Sequence, residues 1–159
     1  MRQMIPHHQQ AIEMAALVGE RTSNRAIDML SERIAVSQRD EIAWMTRWLD
    51  RYAAAAPAAD EHAHHAGHHD HVLMPGMLTP DEMAALAAAS GAEFDRLFLE
   101  GMIRHHEGAL TMVSQLLATP GAAQATEVYQ IATEIDADQR ADIDRMRTML
   151  VAHVTPAPN

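Results

Sequence analysis

Met102-Ile103-Arg104-His105-His106-Glu107-Gly108-Ala109-Leu110-Thr111-Met112 has a twin in the same chain, Met4-Ile5-Pro6-His7-His8-Gln9-Gln10-Ala11-Ile12-Glu13-Met14. Met, Ile, His, His, Ala and Met recur in register, and Ile12 pairs with Leu110. An internal repeat of this kind reports a repeated structural unit. At about 100° per residue, His105 and Met112 fall within roughly 20° of each other on a helical wheel, with Met102 and Ala109 beside them and His106 at the edge of the arc. His7, Met14, Met4, Ala11 and His8 do the same in the first copy. Phe94, Leu97 and Phe98 extend the seam upstream at spacings of three and four. Imidazoles and thioethers thus lie on the face that an amphipathic helix buries.

The second arms of the two halves match as well. Ile34, Gln38, Arg39, Ile42, Met45 and Leu49 align with Ile135, Gln139, Arg140, Ile143, Met146 and Leu150. The repeated unit is therefore a helical hairpin, and two hairpins joined by a long connection predict an all-α four-helix bundle with one crossover. Pro6 fits only a first turn, so a helix is expected over 3–20. Thr22-Ser23-Asn24 offers a turn and a cap for a long helix over 25–53. Thr79-Pro80-Asp81-Glu82 is a capping box for a short helix to about Ser90. Ser90-Gly91-Ala92-Glu93 reads as a second box, opening a helix that Thr119-Pro120-Gly121 stops near Ala118. A last helix is expected over 122–152. Residues 1–159 form one domain, with repeat 1 over about 1–53, a His- and Met-rich crossover over about 54–79 and repeat 2 over about 90–152.

With 159 residues the chain is long enough for one substantial core. It is 48% hydrophobic but only 4% aromatic, a mixture that suits helices better than sheets. A formal net charge of -10 makes nucleic acid a poor partner, because that binding rests on Lys and Arg neutralising phosphates. No apolar run approaches the roughly 20 residues of a bilayer span. No signal peptide is visible at the first residues. The first motif also lacks the helical lead-in that residues 93–101 give the second.

There are no cysteines, so thiolate metal sites are excluded. Met and His are abundant, at 12 and 11 residues. Both ligate metals, and thioethers favour soft ions such as Cu(I). A seam Met is usually core filler. Met4, Met14 and Met45 nevertheless recur as Met102, Met112 and Met146, as ligation or as a duplicated core would leave them. Adjacent histidines repeated in both halves are harder to explain by packing, since burying an unpartnered imidazole costs a few kcal/mol. His7, His8, His105 and His106 are thus candidate metal ligands. Between the halves lies Glu61-His62-Ala63-His64-His65-Ala66-Gly67-His68-His69-Asp70-His71, a biased tract of the kind that captures metal weakly. Its six histidines, His62, His64, His65, His68, His69 and His71, offer imidazole without thioether and suit Cu(II), Ni(II) or Zn(II). Both kinds of site are expected to weaken as pH falls through about 6, where imidazole protonates. Glu13, Glu20, Arg21, Asp28 and Glu32 read as solvated faces. No inward Glu-x-x-His pair of the di-iron bundles is present.

MIPHHQQAIEMA, MPGMLTPDEMAAL and EFDRLFLEGMIRHHEGALTMV resemble the bacterial DUF305 family over nearly the whole chain except the His tract. The resemblance implies a ferritin-like four-helix bundle, export to the periplasm or cell surface, and copper handling through Met and His. The family's metal-linked positions carry over to Met4, His7, His8 and Met14, to Met102, His105, His106 and Met112, and to Met74 and Met77. Gly101 and Gly108 in the second motif suggest close helix approach, because each otherwise costs up to about 1 kcal/mol relative to Ala. The expectation is a non-enzymatic copper-binding protein, acting as buffer, carrier or sequestering agent in copper homeostasis. Metal ions are its expected partners, together with a copper donor or acceptor protein or a second copy of the chain. A ferritin-like metal oxidase and a structural bundle with incidental metal affinity are the alternatives.

Overall fold

Pro6 sits in the opening turn of the first helix, α1 (Met4–Ala16), where its absent N–H has no intrahelical acceptor to satisfy. The computed structural model describes residues 1–55 and 73–154, the side chains of 53–55, 153 and 154 excepted. Five further helices follow among the described residues: α2 (Val18–Arg21), α3 (Arg25–Ala55), α4 (Pro80–Ala88), α5 (Gly91–Ala118) and α6 (Thr126–Val154). None of the described residues forms a strand.

Local chemistry explains most boundaries. The expected single helix over 3–20 is interrupted at Leu17, whose N–H bonds the Met14 carbonyl at 3.1 Å and so tightens the turn. Asn24 Oδ1 accepts from the Ala26 N–H at 3.1 Å, starting α3. Thr79 and Glu82 form the expected box reciprocally, with Glu82 N–H on Thr79 Oγ1 at 3.2 Å and Thr79 N–H on Glu82 Oε2 at 2.7 Å. The expected second box does not form. Ser90 caps α5 without a side-chain bond, and the Glu93 carboxylate accepts from Arg96 one turn on, at 2.8 and 3.2 Å, and not from the Ser90 N–H. The last helix starts at Thr126 rather than 122, after a turn in which Gly121 takes φ +83°.

The bundle is made of α1, α3, α5 and α6. α1 packs on α3, α5 packs on α6, and the two hairpins meet mainly through α1 and α5. Met4 clusters with Ala109 and Val113, whereas Met14 clusters with Phe98 and Met102. The two motif helices therefore run antiparallel and cross near their histidines.

The described end of the crossover is a strap over that crossing. Met77 N–H bonds the Met74 carbonyl at 3.1 Å, with Pro75 and Gly76 (φ +77°) between them, as a type II turn requires. The Gln10 amide clamps Leu78 on both sides, accepting from its N–H at 2.8 Å and donating to its carbonyl at 2.9 Å. A Cβ on Gly76 would collide with the Arg104 carbonyl, and one on Gly108 with the Pro75 carbonyl. Gly108 thus serves the approach of the strap to α5, not of one helix to another. Gly101 faces the Leu78 and Met14 side chains.

Candidate metal centre

Because α1 and α5 cross at equivalent positions, the two His-His pairs converge in the middle of the bundle. His7, His8, His105 and His106 all have 0% exposure. The His7 and His105 rings lie 4.0 Å apart between centroids, tilted by 41°. His8 and His106 flank them, their rings 6.4 and 6.2 Å from those of their neighbours.

Two hydrogen bonds fix the inner rings. His7 Nε2–H donates to the Pro75 carbonyl at 2.9 Å, and His105 Nε2–H donates to the His7 carbonyl at 3.0 Å. A carbonyl only accepts, so the proton of each neutral ring is on Nε2 and the lone pair is on Nδ1. Both Nδ1 atoms are buried without a hydrogen-bond partner. A ring whose N–H is held by a backbone carbonyl, with its other nitrogen presented as a lone pair, is prepared as a metal ligand.

The outer rings face carboxylates that the sequence reading does not single out. His8 Nε2 lies 2.5 Å from Glu41 Oε2, though neither atom is in hydrogen-bond alignment. His106 Nε2 lies 3.7 Å from Asp142 Oδ2, too far for a direct bond. Asp142 is further paired with Arg33 and with Arg145, the latter at 3.1 Å. Glu41 and Asp142 are buried and occupy equivalent places in the repeat, immediately before Ile42 and Ile143. That shared acid in register was the available signal. Buried Gln38 and Gln139 are a second equivalent pair, and Gln38 leaves both amide atoms unpartnered. Buried orphan polar atoms cost about 1–3 kcal/mol each, so their concentration here needs a cause beyond packing.

Burial holds three of the four rings neutral. His7 is pushed down to about 4 and His106 to about 3, in each case first by loss of water. His105 is held well below its ordinary value by burial and then by its imidazole neighbours. In the folded protein these three rings meet protons only well below that.

Thioethers lie to either side. Met14, Met102 and Met146 share one cluster, each with 0% exposure. Met4 and Met45 lie in the other, with Met112 and Met1 against it. Each motif thus sends its two methionines to opposite clusters, about 15 Å apart along the helix by its 1.5 Å rise. Met74 and Met77 are half-buried in the strap. His62, His64, His65, His68, His69 and His71 lie outside the described residues. Among the described residues no group of three or more His, Asp or Glu side chains is placed to hold an ion. Of the expected solvated charges, Glu13, Glu20 and Glu32 are exposed. Arg21 instead donates from Nε to the Ala87 carbonyl at 2.8 Å, closing the end of α4.

No described helix is long and apolar enough to cross a membrane. No curated protein matches the chain. A DUF305 protein from Streptomyces coelicolor, provisionally described as secreted, is 28% identical with a TM-score of 0.79, over 99% of this chain and 92% of that one. A DUF305 fragment from Deinococcus radiodurans is 33% identical with a TM-score of 0.73, over 94% and 91%. CopM in its Cu(I)-bound form is 27% identical with a TM-score of 0.72, over 96% and 94%. CopM has also been solved in Cu(II)-bound and Ag-bound forms. The family described as a domain of unknown function, DUF305, matches residues 1–150, and the chain belongs to it.

Proposed function

We propose that the protein binds copper as cargo, as a buffer, carrier or sequestering protein and not as an enzyme. The observation that carries this reading is the pair of lone-pair nitrogens, Nδ1 of His7 and Nδ1 of His105, buried without partners beside a second imidazole on each helix. Neutral imidazole and thioether are donors for Cu(I), and neither carries a charge that would favour a harder divalent ion. The similarity to CopM, solved with Cu(I), Cu(II) and Ag, supports the same reading. Oxidation cannot remove a thiolate ligand that the chain does not have, which suits an exported protein, as does the likeness to a relative described as secreted.

Untagged protein titrated separately with Cu(I) and Cu(II) against competing chelators tests this. The expected result is tight Cu(I) uptake with sulfur and nitrogen neighbours by X-ray absorption. Failure to compete for Cu(I), or a purely oxygen-ligated ion, contradicts it.

A further inference from the structure

Among the positions where the two motifs differ, one pair meets the same object. Gln10 of the first motif stands where the second has Gly108, and both touch the strap over the helix crossing. The Gln10 amide holds both backbone groups of Leu78, at 2.8 and 2.9 Å. Gly108 leaves room for the Pro75 carbonyl, which a Cβ there would strike. A glycine at 10 would release the strap, and a glutamine at 108 would displace it. The two departures from the repeat therefore serve one segment.

That segment is thin. Pro75 is exposed, yet its carbonyl accepts from His7 Nε2–H at 2.9 Å. One residue thus separates a fully excluded imidazole from water. Between Leu73 and Thr79 only Leu78 is buried. The bonds from Gln10 and His7 tie the strap to α1, and the bond from Met77 to Met74 is internal to the turn. A segment with one apolar anchor and few hydrogen bonds opens locally, at lower cost than helices packed through the core. His105 is held differently, since its Nε2–H donates to the His7 carbonyl inside the bundle. His7 is therefore the imidazole whose exposure follows the strap.

We propose that residues 74–78 are a gate over the imidazole cluster and that Gln10 is its latch. Opening breaks the bonds between Gln10 and Leu78 and the bond from His7 to Pro75, and brings the His7 ring to solvent while the helices stay packed. An ion at His7 Nδ1 makes Nε2–H a stronger donor, so it tightens the bond to Pro75 and closes the gate over itself. By linkage, the closed gate favours the bound ion to the same degree. The passage of copper rests on the reading above, and the motion itself does not.

The motion is read first on metal-free protein, by amide exchange at Leu78 and by carbethoxylation of His7 with diethyl pyrocarbonate, mapped by peptide mass spectrometry. In the wild type the Leu78 amide, corrected for its intrinsic rate, is expected to exchange at least tenfold faster than that of Ala109 in α5. His7 modification is expected to be as insensitive to low urea as that exchange. Gln10→Leu keeps the volume and neither bond. It is expected to speed His7 modification at least tenfold and to leave the Ala109 amide within threefold. Loaded with Cu(I), the same variant is expected both to capture the ion from a chelator and to release it at least threefold faster. Leu78 exchange that tracks Ala109 overturns the gate. So does unchanged His7 modification in folded Gln10→Leu, or faster release without faster capture, the mark of a lost contact alone. The wild-type exchange needs no variant, so it decides the matter even if Gln10→Leu fails to fold. A wild type that opens as described and takes up no Cu(I) removes the copper reading and leaves the gate.

Discussion

His106 shows what burial does to a single side chain here. It has no exposure and a carboxylate 3.7 Å away, and it is pushed down to about 3, first by loss of water. His7, pushed down to about 4, and His105 behave alike. Unfolding returns each ring to its ordinary value near 6.5. Between that value and the folded ones, the unfolded chain binds more protons than the native state. Stability from these rings is therefore complete above about pH 6.5 and is lost as pH falls towards 4, by up to about 1.4 kcal/mol per pH unit for each ring. Urea unfolding of copper-free protein is expected to show a falling midpoint from pH 7 to pH 5, where carboxylates remain ionised. A flat midpoint across that range contradicts the buried neutral cluster. Met was harder to read than His. Periodicity places Met14 and Met112 on the same face of their helices, but their separate fates depend on what covers each end of the bundle, which no local pattern encodes.

At the scale of elements, the motif, hairpins and first capping box were legible because each rests on local spacing or on a repeat. The second box was not, since the sequence does not say whether Glu93 turns to its own cap or to Arg96. Glu41 and Asp142 were also passed over, because an acid on a long helix reads as solvated until the opposing helix is known to carry histidine. The strap supplies a test of its own. Gly108→Ala gains up to about 1 kcal/mol of helix propensity, but its Cβ collides with the Pro75 backbone carbonyl, which is tied to His7. Overpacking of this kind costs roughly 1–3 kcal/mol or more, so net destabilisation is expected in thermal or urea melts. Gly101→Ala is expected to be near neutral. Its Cβ meets only side-chain tips, Leu78 Cδ2 at 3.2 Å and Met14 Cε at 3.3 Å. A Gly108→Ala variant as stable as the wild type shows that the strap is not seated as described.

At the scale of the whole molecule, two hairpins related by the repeat bring four imidazoles to their crossing and thioethers to either side. The fold follows from the periodicity of the chain. The imidazole cluster forms because α1 and α5 run antiparallel, so that His7 meets His105. Under the proposed copper reading the histidine-rich tract from His62 to His71 is the competing candidate, and its chemistry differs. It has imidazole without thioether, suited to Cu(II), Ni(II) or Zn(II). Deleting residues 62–71 and titrating the folded variant against a Cu(I) chelator separates the two. The account predicts that tight Cu(I) binding survives the deletion while much of the divalent binding is lost. Loss of tight Cu(I) binding from a variant that keeps its helical circular dichroism contradicts it and moves the principal site to the tract.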